Sequence, residues 1–128
     1  MKLLKITILF TCLLPLGLIA QDLNESVVNG LKMGNAEMLE FYFKEEVELI
    51  LPHQQGTVSK DKAIQSLGDF FSQNEVESFD LVHEGASPSG SYYHIGQLQC
   101  IGAEYRVYIL NTGEQETAIS EIRIEFDE

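Results

Sequence analysis

An α+β fold, with helices gathered in the first half of the chain and a sheet in the second, is predicted by three observations. Apolar residues recur at helical spacing as far as Gln73. From Val76 onward they alternate with polar ones, the period-2 pattern of strands with one buried face. The alternating segments are separated by turns of only a few residues, which makes antiparallel neighbours the simplest pairing.

Each element follows from local chemistry. Asp22 and Glu25 have the spacing of a capping box, and Leu23, Val27, Val28 and Leu31 then form one apolar stripe. Gly34 is a stop and Asn35 a restart, because glycine accepts the left-handed conformation and asparagine caps the next turn. Met38, Leu39, Tyr42 and Phe43 are the apolar side of a short second helix. The stretch VELILP, Val47 to Pro52, reads as a short strand closed by proline, and HQQG after it as a polar loop.

Ser59 precedes the clearest helix, KDKAIQSLGDFFSQ, in which Ala63, Ile64, Leu67, Phe70 and Phe71 keep helical period. Gly68 inside it costs roughly 1 kcal/mol relative to alanine, so a close packing contact is expected there. Four β segments follow: Val76–His83, Tyr92–Cys100, Glu104–Leu110 and Ala118–Phe126. SPSG, IG and NTGEQ supply the turns between them. In the last strand Ser120, Ile122, Ile124 and Phe126 oppose Glu121, Arg123 and Glu125, so one face is core and the other water.

The 128 residues accommodate one domain. The first of them, MKLLKITILFTCLLPLGLIA, place two lysines before an apolar run that Pro15 and Gly17 break. This is the layout of a secretory signal peptide cleaved after Ala20, leaving a single domain over 21–128. A retained anchor is the alternative. A lipoprotein fits less well, because Cys12 lies inside the apolar run rather than at its end. The expectation is a periplasmic or secreted protein with no stable membrane span after cleavage. Cleavage leaves six basic residues against 20 acidic ones, a formal charge of −14. That charge repels nucleic acid and anionic membrane surfaces. It also leaves Cys100 as the lone cysteine, so there is no intrachain disulfide and the core must hold the fold.

The order helix, helix, strand, helix, then a bent sheet resembles the nuclear transport factor 2-like cone, shared with ketosteroid isomerase, scytalone dehydratase and SnoaL-type proteins. GNAEMLEFYF, VELILP, SKDKAIQSLGDFF, HEGAS, YYHIGQL, YRVYIL and SEIRIEF resemble, more narrowly, an exported bacterial domain-of-unknown-function family within that fold. The resemblance spans nearly all of Asp22 to Phe126 and implies N-terminal helices packed on a strongly curved, mixed or antiparallel sheet, with a pocket between them. Such a fold hosts many functions, so chemistry must be argued from side chains.

Enzymes of this fold use a cavity carboxylate, or histidine with aspartate and tyrosine. Asp80, between Phe79 and Leu81, has the parity of an exposed strand residue, with a buried base as the alternative. His94 shares a face with Tyr92, Gly96, Leu98 and Cys100, while Tyr93, Ile95, Gln97 and Gln99 share the other. Neither face is cleanly apolar, so alternation does not orient the histidine. As a general base it needs an orienting acid within hydrogen-bond reach, and no local residue supplies one.

His83 sits at a strand end and His53 in a polar loop; with Cys100 solitary, no metal or cofactor site is expected. Tyr42, Tyr93 and Tyr105 are the candidate ligand contacts. Arg106 and Tyr108 have outward parity, where Arg106 can pair with Glu121 or, alternatively, the face can form a homodimer surface. The glutamates at 37, 40, 45, 46 and 48 read as a solvated face.

Two functions follow. One is a non-catalytic exported module that binds a small apolar ligand or a protein partner through its cavity or outer sheet face. The alternative is a small isomerase, dehydratase or hydrolase built on His94, Asp80 and Tyr92. Both pocket readings weaken if Phe41, Phe43, Phe70, Phe71 and Phe79 fill the cone.

Overall fold

The computed structural model describes residues 22–113 and 118–127. The expected leader and its cleavage point lie outside the described residues. Helix α1 is Glu25–Met33. Its cap is Asn24 rather than the Asp22–Glu25 box: the Asn24 side-chain oxygen accepts from Ser26 N at 2.8 Å. Glu25 becomes the first helical residue, where its charge complements the helix dipole. Gly34 ends the helix at φ 64°, ψ 36°, the conformation for which glycine is favoured. Asn35 caps the next segment by accepting from Glu37 N at 3.2 Å. That segment, Ala36–Tyr42, is a 3₁₀ helix.

Strand β1 is Phe43–Leu51, four residues longer at its start than expected. The HQQG stretch is not a loop: Gln54–Ser59 forms β2, antiparallel to β1 with Leu49 opposite Gly56 and Leu51 opposite Gln54. Its polar composition fits its place at the sheet edge, where every second residue is exposed. Helix α2, Lys60–Gln73, starts where Ser59 Oγ accepts from Lys62 N at 3.2 Å. It buries Ala63, Leu67, Phe70 and Phe71. Among the described residues the expected close contact at Gly68 is absent, since a Cβ there would meet none of their atoms within 4 Å.

The remaining strands are β3 (Val76–Ala86), β4 (Ser91–Cys100), β5 (Ala103–Thr112) and β6 (Ile119–Phe126). They join one six-stranded sheet in the order β2-β1-β6-β5-β4-β3. The sheet is mixed because β6 returns to lie parallel to β1, while its other pairings are antiparallel. Ile122 therefore lies between Leu49 and Ile109, at the centre of the buried face.

Both α-helices pack on that face, burying Leu31, Leu67, Leu98, Val107, Ile109 and Ile124 among others. Phenylalanines fill much of the cone: Phe43 and Phe79 are fully buried, Phe70 and Phe71 nearly so. Phe41 is the exception, at 62% exposed. Phe79 lies across Gly96, and a Cβ at that position would overlap its ring.

Candidate functional site

His94 faces the core with Gly96, Leu98 and Cys100 along an unbroken β4, and a bulge on the neighbouring strand brings its partner to the same face. Along β3, Phe79 and Leu81 face inward, opposite Leu98 and Gly96. Strict alternation would send His83 in and Glu84 out. The register slips between Leu81 and His83, leaving Val82 as the extra, exposed residue. His83 consequently pairs with Ile95 on the outer face, and Glu84 pairs with His94 on the inner one.

His94 is fully buried, and both of its ring nitrogens are engaged. Nδ1 lies 2.5 Å from Glu84 Oε2, and Nε2 lies 3.3 Å from Asn111 Nδ2. With the Asn111 amide donating to Nε2, the ring proton sits on Nδ1 and is donated to the carboxylate. The same Glu84 oxygen accepts from Leu23 N at 3.1 Å, which fastens the approach to α1 onto the sheet. This is a histidine with an orienting acid. Yet neither ring nitrogen has a lone pair or proton left for a substrate. Tyr92 shares the inner parity but is only half-buried, opposite Ala86 and Asn111. Asp80 is exposed on the outer face opposite Gln97. The structure therefore does not bring Asp80 to His94.

A cavity of about 320 Å³ opens farther along the inner face, near the small end of the roughly 300–1,000 Å³ usual for ligand sites. Tyr105 and Phe126 line it from the sheet, Ser66, Asp69 and Phe70 from α2, and His53 from the β1–β2 turn. Tyr105 lies four residues before Ile109, the cross-strand neighbour of His94. At ~3.3 Å per strand residue the cavity is thus about 13 Å from the histidine along the sheet.

Three aromatic rings form the cavity's apolar side. Phe70 meets Tyr105 edge to face at 5.1 Å, and Tyr105 meets Phe126 at 5.0 Å. Tyr105 Oη donates to Asn74 Oδ1 at 2.8 Å, and Asn74 Nδ2 donates to the Phe70 carbonyl at 2.9 Å. The phenol is thereby fixed, with its proton already used. Burial, and then the neighbouring Cys100, push the Tyr105 hydroxyl above its ordinary range, so it stays protonated. Cys100 itself is buried, its thiol raised by desolvation and by Glu77.

The outer sheet face holds a second cluster. Tyr93 and Tyr108 stack at 6.5 Å with planes 13° apart, and Arg123 lies 5.7 Å from the Tyr108 ring centre. Tyr93 also crosses Gly85, where a Cβ would overlap it, and its hydroxyl lies 3.2 Å from His83 Nε2. Glu121 pairs with Arg123 at 3.5 Å rather than with Arg106. The register explains the difference: Leu110 lies opposite Glu121, whereas Arg106 lies opposite Glu125 and has Asp127 at 3.9 Å. Burial raises the Glu121 carboxyl, Glu48 adding to the shift and Arg123 opposing it. Tyr42, the remaining candidate, closes the 3₁₀ helix and packs against the core, edge-on to Phe41 at 5.2 Å. Among the described residues no group of three or more His, Cys, Asp or Glu could hold a metal ion, and no helix is long and apolar enough to cross a membrane.

Helices on the concave side of a bulged six-stranded sheet, with a cavity between them, define a nuclear transport factor 2-like α+β domain. The structure of Rd1NTF2_04 with a long sheet aligns at TM-score 0.61 over 77% of this chain and 93% of that one, at 8% identity. The chain belongs to the DUF4783 family, a domain of unknown function whose family model matches residues 24–125. A DUF4783 family protein from Bacteroides fragilis YCH46 is 31% identical at TM-score 0.75, covering 83% of this chain and all (100%) of that one. One from Bacteroides uniformis is 29% identical at TM-score 0.75, covering 84% and 99%. No curated protein matches the chain.

Alternation along β4 left the His94 partner unassigned, and strict parity on β3 would have turned Glu84 outward. The adjacent apolar pair Leu81–Val82, followed by HEG, is the only sequence sign of the bulge. Asn111 and His53 carried no such sign. They become neighbours of His94 and the cavity only through long-range pairing.

Proposed function

We propose that this domain is an exported, non-catalytic binding module that holds a small, largely apolar ligand in the cavity beside Tyr105 and Phe126. The single observation that carries this is the cavity's construction: an aromatic side held by Asn74, opening beneath the β1–β2 turn, in a cone otherwise packed with side chains. Its small volume fits a ligand about the size of one ring. Export rests on the leader-like first 20 residues. The outer face, with Tyr93, Tyr108 and Arg123, supports a protein contact such as a homodimer, because aromatics and arginine favour interfaces.

The enzyme reading, a small isomerase, dehydratase or hydrolase, has the Glu84–His94 contact in its favour. Against it, Asn111 occupies the remaining ring nitrogen and the cavity is remote from the pair.

Calorimetric titration of residues 21–128 with benzyl alcohol, alongside the cavity-filling variant Ser66→Phe, tests the binding reading. Saturable binding that Ser66→Phe abolishes while the variant stays folded is the expected result. Equal binding by both proteins would overturn it.

A further inference from the structure

The cavity's polar equipment points to one ligand class. Its acceptor oxygens include Tyr105 Oη, which donates its hydrogen bond to Asn74 and keeps lone pairs, and the carboxylate of the exposed Asp69; Ser66, Gln54 and Gln73 add neutral polar groups. Asn74 offers little to a ligand, since its oxygen receives the phenol and its nitrogen is bound to the Phe70 carbonyl. Among the described residues no lysine or arginine lines the cavity, and His53 is its only side chain of basic type. Beside the carboxylate stand the rings of Phe70, Tyr105 and Phe126, whose faces attract a cation. The whole chain carries a formal charge of −12, which draws cations toward its surface and repels anions.

Resting on the binding reading above, we infer that the cavity selects a small organic ammonium: an apolar or aromatic body carrying one positively charged nitrogen. The nitrogen meets Asp69 and the Tyr105 oxygen, and the body lies against Phe70 and Phe126. A carboxylate-bearing ligand of the same shape is disfavoured, since it would confront Asp69 with no lysine or arginine among the described lining residues. A neutral alcohol is intermediate, gaining the aromatic contacts but not the charge.

A matched series distinguishes these cases: benzylamine, benzyl alcohol and benzoate, titrated at neutral pH into residues 21–128 and into Asp69→Asn, with binding followed by calorimetry and amide chemical shifts. The expected order is benzylamine tighter than benzyl alcohol by roughly tenfold, the value of a cation held by an aromatic face and a carboxylate, with benzoate weakest. Asp69→Asn removes most of that preference, benzylamine losing several-fold more affinity than benzyl alcohol. Benzyl alcohol bound as tightly as benzylamine would overturn the ammonium inference while leaving the cavity as a binding site. Failure of all three ligands to bind would overturn both.

Discussion

Replacing Glu84 tests the role of the buried pair. In Glu84→Ala two donors lose their common acceptor: His94 Nδ1–H, in a fully buried ring, and Leu23 N–H, at the approach to α1. An unsatisfied buried donor costs about 1–3 kcal/mol. The Glu84 side chain is 25% exposed, so water reaches part of the vacated space, and the lower part of the range applies, a loss of about 2–4 kcal/mol in all. Glu84→Gln keeps an acceptor oxygen at the same place and loses only the assistance of the charge, about 1 kcal/mol.

Urea unfolding of residues 21–128 reads both values, and thermal unfolding should show a fall of roughly 4–8 °C for each kcal/mol in a domain of this size. Because the pair is remote from the cavity, benzyl alcohol affinity should be the same in wild type and Glu84→Gln. Two outcomes would rule out a purely structural role for the pair. One is a Glu84→Ala loss under about 0.5 kcal/mol, the range of ordinary surface substitutions. The other is a Glu84→Gln variant that keeps its fold but loses ligand binding, since that would make the pair part of the functional site.

Gly68→Ala should stabilise the protein by about 0.5–1 kcal/mol, because the helix gains a better helix former and the added methyl group meets no atom of the described residues within 4 Å; urea midpoints check this. Glu121→Gln should show a gain that depends on pH. The folded state raises the Glu121 carboxyl, so its ionised form is disfavoured on folding. That penalty is absent well below the ordinary value of 4.5. It appears as pH rises through that range and is complete above the raised folded value. The variant should therefore be stabilised relative to wild type near neutral pH, with the lost Arg123 contact offsetting part of the gain, and the advantage should shrink in acid. A stability advantage that grows as pH falls would contradict the assignment.

The parts legible in the sequence were those where local chemistry and tertiary packing agree. In α2 the Ser59 cap and the apolar spacing from Ala63 to Phe71 mark one helix. Along β5 the alternation of Tyr105, Val107 and Ile109 with Arg106 and Tyr108 matches the observed burial. Edge strand β2 was hidden because a polar, glycine-containing strand has no apolar period to detect. The parallel pairing of β6 with β1 joins segments some 70 residues apart, and no turn motif announces it. Gly68 misled in a different way: a glycine inside a helix implies packing, and here the space beside it is open.

The candidate site was less legible than the fold for the same physical reason. Parity oriented Arg106 but not His94, whose face alternates aromatic, glycine and apolar residues with nothing charged. Its acid arrived by a one-residue bulge, a feature that reverses every subsequent side chain on β3. Tyr105 was a candidate by residue type alone. Its position beside Phe70, Asn74 and Phe126 depends on the packing of α2 against the far end of the sheet.

Mapping amide and side-chain chemical shifts of residues 21–128 as benzylamine is added distinguishes the cavity from the buried histidine as the functional site. Saturable shifts centred on Ser66, Asp69, Tyr105 and Phe126 are expected, with the His94 ring resonances unmoved. Shifts centred on His94, Glu84 and Asn111 with the cavity silent would contradict the cavity assignment.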